Sequence, residues 1–276
     1  MCGLWARSSL PSQHASLSSH CLAHALHPSS VDRRMSMSRQ HAITEIISAQ
    51  IAAGEWGPDQ RLPVERELAE RFACTRITLR EALQQLEAEG RIYRENRRGW
   101  FVSAPRVRYD PTSIAGFMQY VAAQGRKPRT ELLSATRQAA GAAFAAALRL
   151  ETAYEEVFVL QRRRWIDRRA VLLETNVVLA AWAPGLLEHD LAGSLSSVFN
   201  QKLGLFLSRA HVSMHPAGLD ATQAMLLQST TGTPCFRLQR VSFAEDGRAV
   251  ELDIESWRHD ALDVVVRTEA PTRSAS

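Results

Sequence analysis

The sequence predicts an α+β protein built as two units joined by a short linker. Between Leu62 and Val102, two short helical patterns a few residues apart are followed by a basic hairpin. Beyond Pro128 the apolar period changes from about 3.6 to about 2, the change that separates amphipathic helix from half-buried strand. A chain of 276 residues is long enough for two domains of ordinary size. Its composition, 45% hydrophobic and 22% charged, suits buried cores rather than a low-complexity chain. The expected division is a disordered or misread upstream extension over 1–36, a first unit over 37–104, a linker over 105–111, a second unit over 112–268 and a disordered tail over 269–276.

In the first unit, residues 38–53 place Ile43, Ile46, Ile47 and Ile51 at helical spacing, and Gly54 is a plausible stop. Glu65–Phe72 reads as a short helix with Leu68, Ala69 and Phe72 inward. Thr75 can cap the next helix, which runs to about Glu89 on the apolar positions Ile77, Leu79, Ala82, Leu83 and Leu86. Gly90 ends it. Ile92–Tyr93 and Trp100–Val102 read as strands about a tip at Arg97–Arg98–Gly99, where glycine permits a tight turn.

Two helices joined by a tight turn can set the start of the second against base edges in a DNA groove. The residues there are Thr75, Arg76, Thr78 and Arg80. Arginine offers guanine a two-pronged donor, and threonine offers a hydroxyl and a methyl. Arg66, near the start of the preceding helix, suits a phosphate. Arg97, Arg98 and Gly99 suit the backbone beside the minor groove. Net charge is only +4, yet Arg91 to Arg108 carries six arginines against one acid, Glu95. A local patch of that kind neutralises phosphates even in a nearly neutral domain. Arg71, Arg91 and Arg94 read as solvated surface charge.

In the second unit, Ser113–Gln124 has a helical pattern. Strands are expected over Thr130–Thr136, Val157–Trp165, Ala170–Val178, Arg209–Met214, Arg237–Phe243 and Ala249–Trp257, with Val264–Val266 closing the sheet. Helices are expected over Leu195–Lys202 and Ala221–Leu227. Arg162 and Arg164 are two residues apart and share a face, with Glu174 across a short hairpin. Arg163 should face the other way, into solvent. Glu251, Asp253 and Glu255 alternate onto one face, and Trp257 continues it. Two arginines opposite several carboxylates make a pocket for a small ligand with an anionic and a cationic end. A phosphate or phosphonate takes the guanidinium forks, and an ammonium takes a carboxylate. His211 is a further candidate for the pocket wall. Cross-strand salt bridging on the sheet surface is the plainer alternative.

The run LPVERELAERF, then TRITLREALQQLEAEG, then RRGWFV resembles the winged helix-turn-helix of GntR-type bacterial transcription regulators over about residues 38–104. The resemblance implies that Arg66, Arg76, Thr78, Arg80 and Gly99 approach operator DNA. Val64 departs from it, because the family commonly has a capping serine there. Trp100 departs in the wing. LQRRRW, LLETN and ELDIESWRHD resemble the ligand-sensing UTRA domain of the HutC branch over about residues 112–268. That implies a chorismate-lyase-like mixed α/β effector-binding domain without enzymatic role, and effector contacts at Arg162, Arg164, Glu174 and near Glu251 and Trp257. RITLREALQQLEAEGRIYRENRRGWFVSAPRVRYDPT and DIESWRHDALDVVV are similar to regulators of 2-aminoethylphosphonate breakdown. The implied partners are double-stranded operator DNA, a small-molecule effector such as 2-aminoethylphosphonate, and a second copy in a homodimer. Other small acids and sugar phosphates are effectors across the branch. Most of its members repress and release DNA on binding effector. A ligand-independent dimeric DNA-binding protein is the alternative of a different class.

Other chemistry finds little footing. Cys2, Cys21, Cys74 and Cys235 are scattered without metal or redox spacing, as free thiols in a reducing cytoplasm would be. His14, His20, His24 and His27 have nothing to fix their geometry, so no metal is expected. The chain lacks a G-x-S-x-G elbow, a P-loop and an H-E-x-x-H motif, and His211, His215 and His259 lack a recognised third partner. No catalytic residue, no cofactor and no membrane segment is expected.

Overall fold

The computed structural model describes residues 30–113 and 115–268, with side chains from Arg39 onward. Residues 1–29 and 269–276, most of the expected extension and the whole expected tail, lie outside the described residues. Helix α1 spans Ser30–Ala52, so residues 30–36 are helical in backbone where a disordered extension was expected.

Helices α2 (Glu65–Arg71) and α3 (Arg76–Ala88) follow, then the hairpin β1 (Ile92–Glu95) and β2 (Gly99–Val102). One core unites them through Ile43, Ile47, Leu62, Leu68, Leu79, Leu83, Leu86, Ile92, Trp100 and Val102. Burying a leucine completely, as at Leu68, Leu79, Leu83 and Leu86, stabilises by about 1.5–3 kcal/mol. Val64 offers α2 no side-chain cap, and Glu65 and Glu67 in the first turn compensate by opposing the helix dipole. Thr75 Oγ1 accepts from the Thr78 amide at 3.2 Å and caps α3. Gly90 closes α3 at φ +72°. A Cβ there would collide with the Arg106 guanidinium and lie 3.3 Å from the Asp260 backbone.

Strand β3 (Val107–Tyr109) occupies the middle of the expected linker. Helix α4 (Phe117–Ala122) is shorter than the expected Ser113–Gln124. Then come β4 (Pro128–Ala139), α5 (Gly141–Leu148), β5 (Glu156–Ile166), β6 (Arg169–Leu179), α6 (Leu195–Ser197) with a π-helical turn to Leu203, β7 (Leu207–Gly218), α7 (Ala221–Leu226), β8 (Pro234–Ala244), β9 (Ala249–Arg258) and β10 (Leu262–Val264). Six strands form an antiparallel sheet in the order β4-β5-β6-β9-β8-β7. β10 was expected to close that sheet. It pairs instead with β3, in parallel. The reason is topological: β9 lies between β6 and β8, both its edges are paired, and a strand that follows directly finds no free edge beside it.

Helix α5 packs on one sheet face against Val157, Val177 and Leu252. The other face carries two apolar clusters. One, around Phe117, Leu172, Leu238 and Trp257, lies under α4 and β3. The second, around Leu160, Val178, Leu195 and Phe199, lies under the segment that includes α6. The polar residues of the second unit sit between these two clusters.

Candidate functional site

The first candidate site is a basic cleft of about 400 Å³ between the wing and the starts of α2 and α3. Its walls bring together Arg66, Arg76, Arg80, Arg97, Arg98 and Gly99, which the sequence reading assigned to DNA. Arg97 takes φ +62° at the wing tip. Two further arginines line the cleft. Arg94, read from sequence as solvated surface charge, lies over the Trp100 ring at 5.6 Å. Arg61 was not singled out at all. Gly99 explains its position: at φ +105°, with the Arg61 Nε 3.3 Å from where a Cβ would stand, only glycine lets that guanidinium lie against the wing. No periodic pattern surrounds Arg61, so nothing in the sequence marked it.

Two acids line this cleft, Glu95, which Arg98 holds, and Glu65. Glu65 accepts from Arg80 Nε at 2.7 Å and from Trp100 Nε1 at 3.2 Å. Burial pushes its carboxyl up, but the bonds from Arg80 and Trp100 outweigh that and hold it below its ordinary value. Trp100 thus has a use at its unusual wing position: its indole anchors the carboxylate that orients Arg80.

The two threonines differ from expectation. Thr75 is exposed, but its hydroxyl is occupied with capping. Thr78 is buried, and its hydroxyl lies 3.0 Å from that of Thr75, so it packs inward rather than facing a groove. Ile77 corrects the pattern in the opposite sense. Expected inward, it is 72% exposed beside Arg76, on the face α3 turns outward.

The second candidate site is a row of charged groups inside the six-stranded sheet. Register places Arg162 opposite Glu174 and Glu174 opposite Glu255. The next rung carries Asn176, Asp253 and Arg240. Pleating points these side chains to one face. The structure therefore unites Arg162, Arg164, Glu174, Glu251, Asp253, Glu255 and Trp257, all buried. Arg164 holds Glu174 with two bonds, Nε to Oε2 at 2.8 Å and Nη2 to Oε1 at 2.9 Å. Arg162 Nη2 reaches the same carboxylate at 2.7 Å, and its Nε donates to Asn176 Oδ1 at 2.9 Å. The Trp257 indole donates to Glu255, and Arg240 donates to the Tyr109 hydroxyl.

His211 does not join them. It pairs with Val241, one residue out of phase with the rung of Val212 and Arg240, so it projects from the opposite face and is exposed. Arg163 faces away from Arg162 as expected, but not into open solvent: its guanidinium grips Glu131 with bonds of 2.8–3.0 Å.

The electrostatics divide the row. Burial pushes the Glu174 carboxyl up, yet Arg162 and Arg164 together outweigh burial and hold it down at about 2. Glu251, Asp253 and Glu255 lack such compensation. Burial raises each of them, and the neighbouring carboxylates add to the rise. Asp253 Oδ1 is buried with no hydrogen-bond partner. The row thus has an arginine end saturated by one carboxylate and a carboxyl end that burial and neighbouring carboxylates push toward the protonated form. Oxygens of Glu174, Asp253 and Glu255 lie within 4.8 Å of one another, which is spacing for a cation. Arg162 and Arg164 already supply positive charge to Glu174, so an ammonium at Asp253 and Glu255 fits better than a divalent metal.

A basic winged helix-turn-helix ahead of a sheet with a buried charged row defines a DNA-binding regulator with a ligand-sensing unit. Residues 39–102 match the family model of bacterial regulatory proteins of the gntR family, and residues 123–263 match the UTRA domain. The chain belongs to the UTRA-containing GntR regulators. It is 29% identical to the uncharacterised HTH-type transcriptional regulator YihL of Escherichia coli, over 76% of this chain and 89% of that protein. It is 27% identical to the repressor NagR of Bacillus subtilis, over 82% of this chain and 92% of that protein. It is 32% identical to the repressor PhnF of Mycolicibacterium smegmatis, over 72% and 81% respectively. The crystal structure of PhnF superposes with a TM-score of 0.58 at 28% identity, covering 83% of this chain and 99% of that one. Among the described residues no helix is long and apolar enough to cross a membrane.

Proposed function

We propose that this chain is a homodimeric repressor of phosphonate-utilisation genes that leaves its operator when it binds 2-aminoethylphosphonate. The observation that carries the reading is the pair of guanidiniums on Glu174, Arg162 and Arg164, one rung from Asp253, whose buried Oδ1 has no hydrogen-bond partner. A phosphonate dianion matches the two forks now filled by Glu174. The ligand's ammonium matches Asp253 and Glu255, where an added positive charge displaces protons. Two relatives that this chain matches over most of their length are named repressors, which supports the sign. Each subunit would set one winged helix on a half-site, and effector binding would shift the two heads relative to each other.

The test is a thermal-shift series on the full chain with 2-aminoethylphosphonate, inorganic phosphate and glucosamine 6-phosphate. The aminophosphonate should give the largest rise. A larger rise with glucosamine 6-phosphate assigns the site to a sugar phosphate, and no rise with any of them favours the ligand-independent reading. Two variants separate the functions. Arg80→Ala should weaken operator binding about tenfold while sparing the thermal shift. Arg164→Ala should abolish the shift and leave operator binding in place.

A further inference from the structure

Helix α3 turns two kinds of side chain outward at its start. Arg76 and Arg80 line the basic cleft. Ile77 stands between them in the chain and is 72% exposed. At about 100° per residue, Ile77 lies about 180° round the helix from Leu86, which is completely buried. Arg80 lies about 60° from Ile77, and exposed Glu81 and Gln84 share the same outward arc. The core of the first unit takes Leu79, Ala82, Leu83 and Leu86 from this helix and does not include Ile77. Its side chain therefore points away from the packed face. The fold gains nothing from it there. A β-branched residue forms helix less readily than alanine or leucine, and an exposed one recovers no burial.

We propose that Ile77 is a specificity-determining residue of the DNA-reading helix, packing on the 5-methyl group of a thymine in the major groove, so that each half-site carries a thymine that the neighbouring arginines do not select. The inference rests on the operator-binding reading of the basic cleft. Base edges in the major groove present ring nitrogens, carbonyl oxygens and amino groups, and the thymine methyl is the apolar group among them. Against a donor or acceptor, isoleucine displaces water and returns no hydrogen bond. Against the methyl, two apolar surfaces leave water together.

The surroundings of Ile77 favour a base edge over a protein partner. Its neighbours on the outward arc are Arg76, Arg80, Glu81 and Gln84, so it stands as a single apolar group in a polar field and not in a patch that another protein would cover. The arginines beside it bring that arc to an anionic surface, and the Nε of Arg80 is already held by Glu65 at 2.7 Å. Thr78, the next residue and the other apparent source of a methyl contact, is buried with its hydroxyl 3.0 Å from that of Thr75. Ile77 thus occupies the place in the first turn from which an apolar contact to a base can be made.

The experiment uses the full chain without effector and a duplex selected by it from a random pool. Each thymine of the selected site is then replaced singly by deoxyuridine, which pairs identically and lacks only the methyl. At one thymine per half-site the replacement should weaken wild-type binding about fourfold, the worth of one buried methyl, as read by anisotropy at fixed salt. Ile77→Ala should bind the thymine duplex more weakly by a similar factor and be indifferent to deoxyuridine at that position. Because Ile77 is exposed, this variant should melt with the wild type. A wild type indifferent to deoxyuridine at every position overturns the proposal. So does Ile77→Ala that keeps the deoxyuridine penalty, or that loses affinity equally for both duplexes. A pool that yields no preferred sequence overturns the operator reading itself, and this inference with it.

Discussion

At the residue scale, exposure decides which side chains can meet DNA, and sequence pattern recovers it unevenly. Arg76, Arg80, Arg97 and Arg98 were legible because charge at the start of a helix or at a hairpin tip has nowhere to go but outward. Thr78 was not legible, because a threonine in the first turn can face a groove or fold back on a capping partner, and Thr75 takes it. Ile77 was misjudged for a related reason: a helix start lies on both the apolar and the outward arc, so residue type alone misassigns it. Arg61 gives the residue-scale prediction. Pressed against Gly99 at the mouth of the cleft, its guanidinium is placed for a phosphate rather than a base edge. Arg61→Ala should weaken binding to specific and unrelated duplexes by a similar factor, and lower the slope of log affinity against log salt by about 0.9. Fluorescence anisotropy across a salt series reads that slope, and an unchanged slope would remove Arg61 from the interface.

At the element scale, strand register matters more than strand boundaries. Strands β4, β5 and β7 run past their expected ends but keep the expected phase, so the alternation of Arg162 with Arg164 and of Glu251, Asp253 and Glu255 becomes one buried row. His211 fell on the wrong face because phase within a single strand does not say how that strand pairs with its neighbour. Helix α5 escaped notice because GAAFAAAL has no polar residue to reveal a period. The row makes a specific prediction about Glu174, which bridges β5 to β6 and occupies the forks an anion would need. Glu174→Gln leaves two buried guanidiniums without a counter-charge and should lower the melting temperature markedly. Phosphate or 2-aminoethylphosphonate should then restore more stability to this variant than it adds to the wild type, because the anion takes up the vacated charge. Differential scanning fluorimetry with and without 10-fold steps of phosphate measures both effects. Equal ligand shifts in the two proteins would show that the anion does not compete with Glu174.

At the scale of the whole molecule, two groups of buried carboxyls set opposite slopes of stability against pH. Glu174 and Asp260 are held low in the folded chain. They contribute stability above their unfolded values, and that contribution is lost as pH falls toward their folded values. Glu251, Asp253 and Glu255 are raised in the folded chain. Their contribution is full below the ordinary carboxyl range near about 4 and declines as pH rises toward their folded values. The ligand-free protein should therefore be most stable in mild acid, near about pH 5, and lose stability toward neutrality. Asp253→Asn tests the cause, since it replaces the acid that has a buried oxygen without a partner by a group that never ionises. It should raise the melting temperature at pH 7.5 by about 3 °C or more and flatten the decline between pH 5 and 7.5, while leaving the acid limb below pH 4 in place. Melting curves across pH 3 to 8 for the two proteins separate these limbs. A decline that persists unchanged in Asp253→Asn would place its origin outside the charged row. If the decline disappears, the pocket stores an unfavourable interaction at neutral pH that a bound ammonium relieves, which gives effector binding a driving force beyond its own contacts.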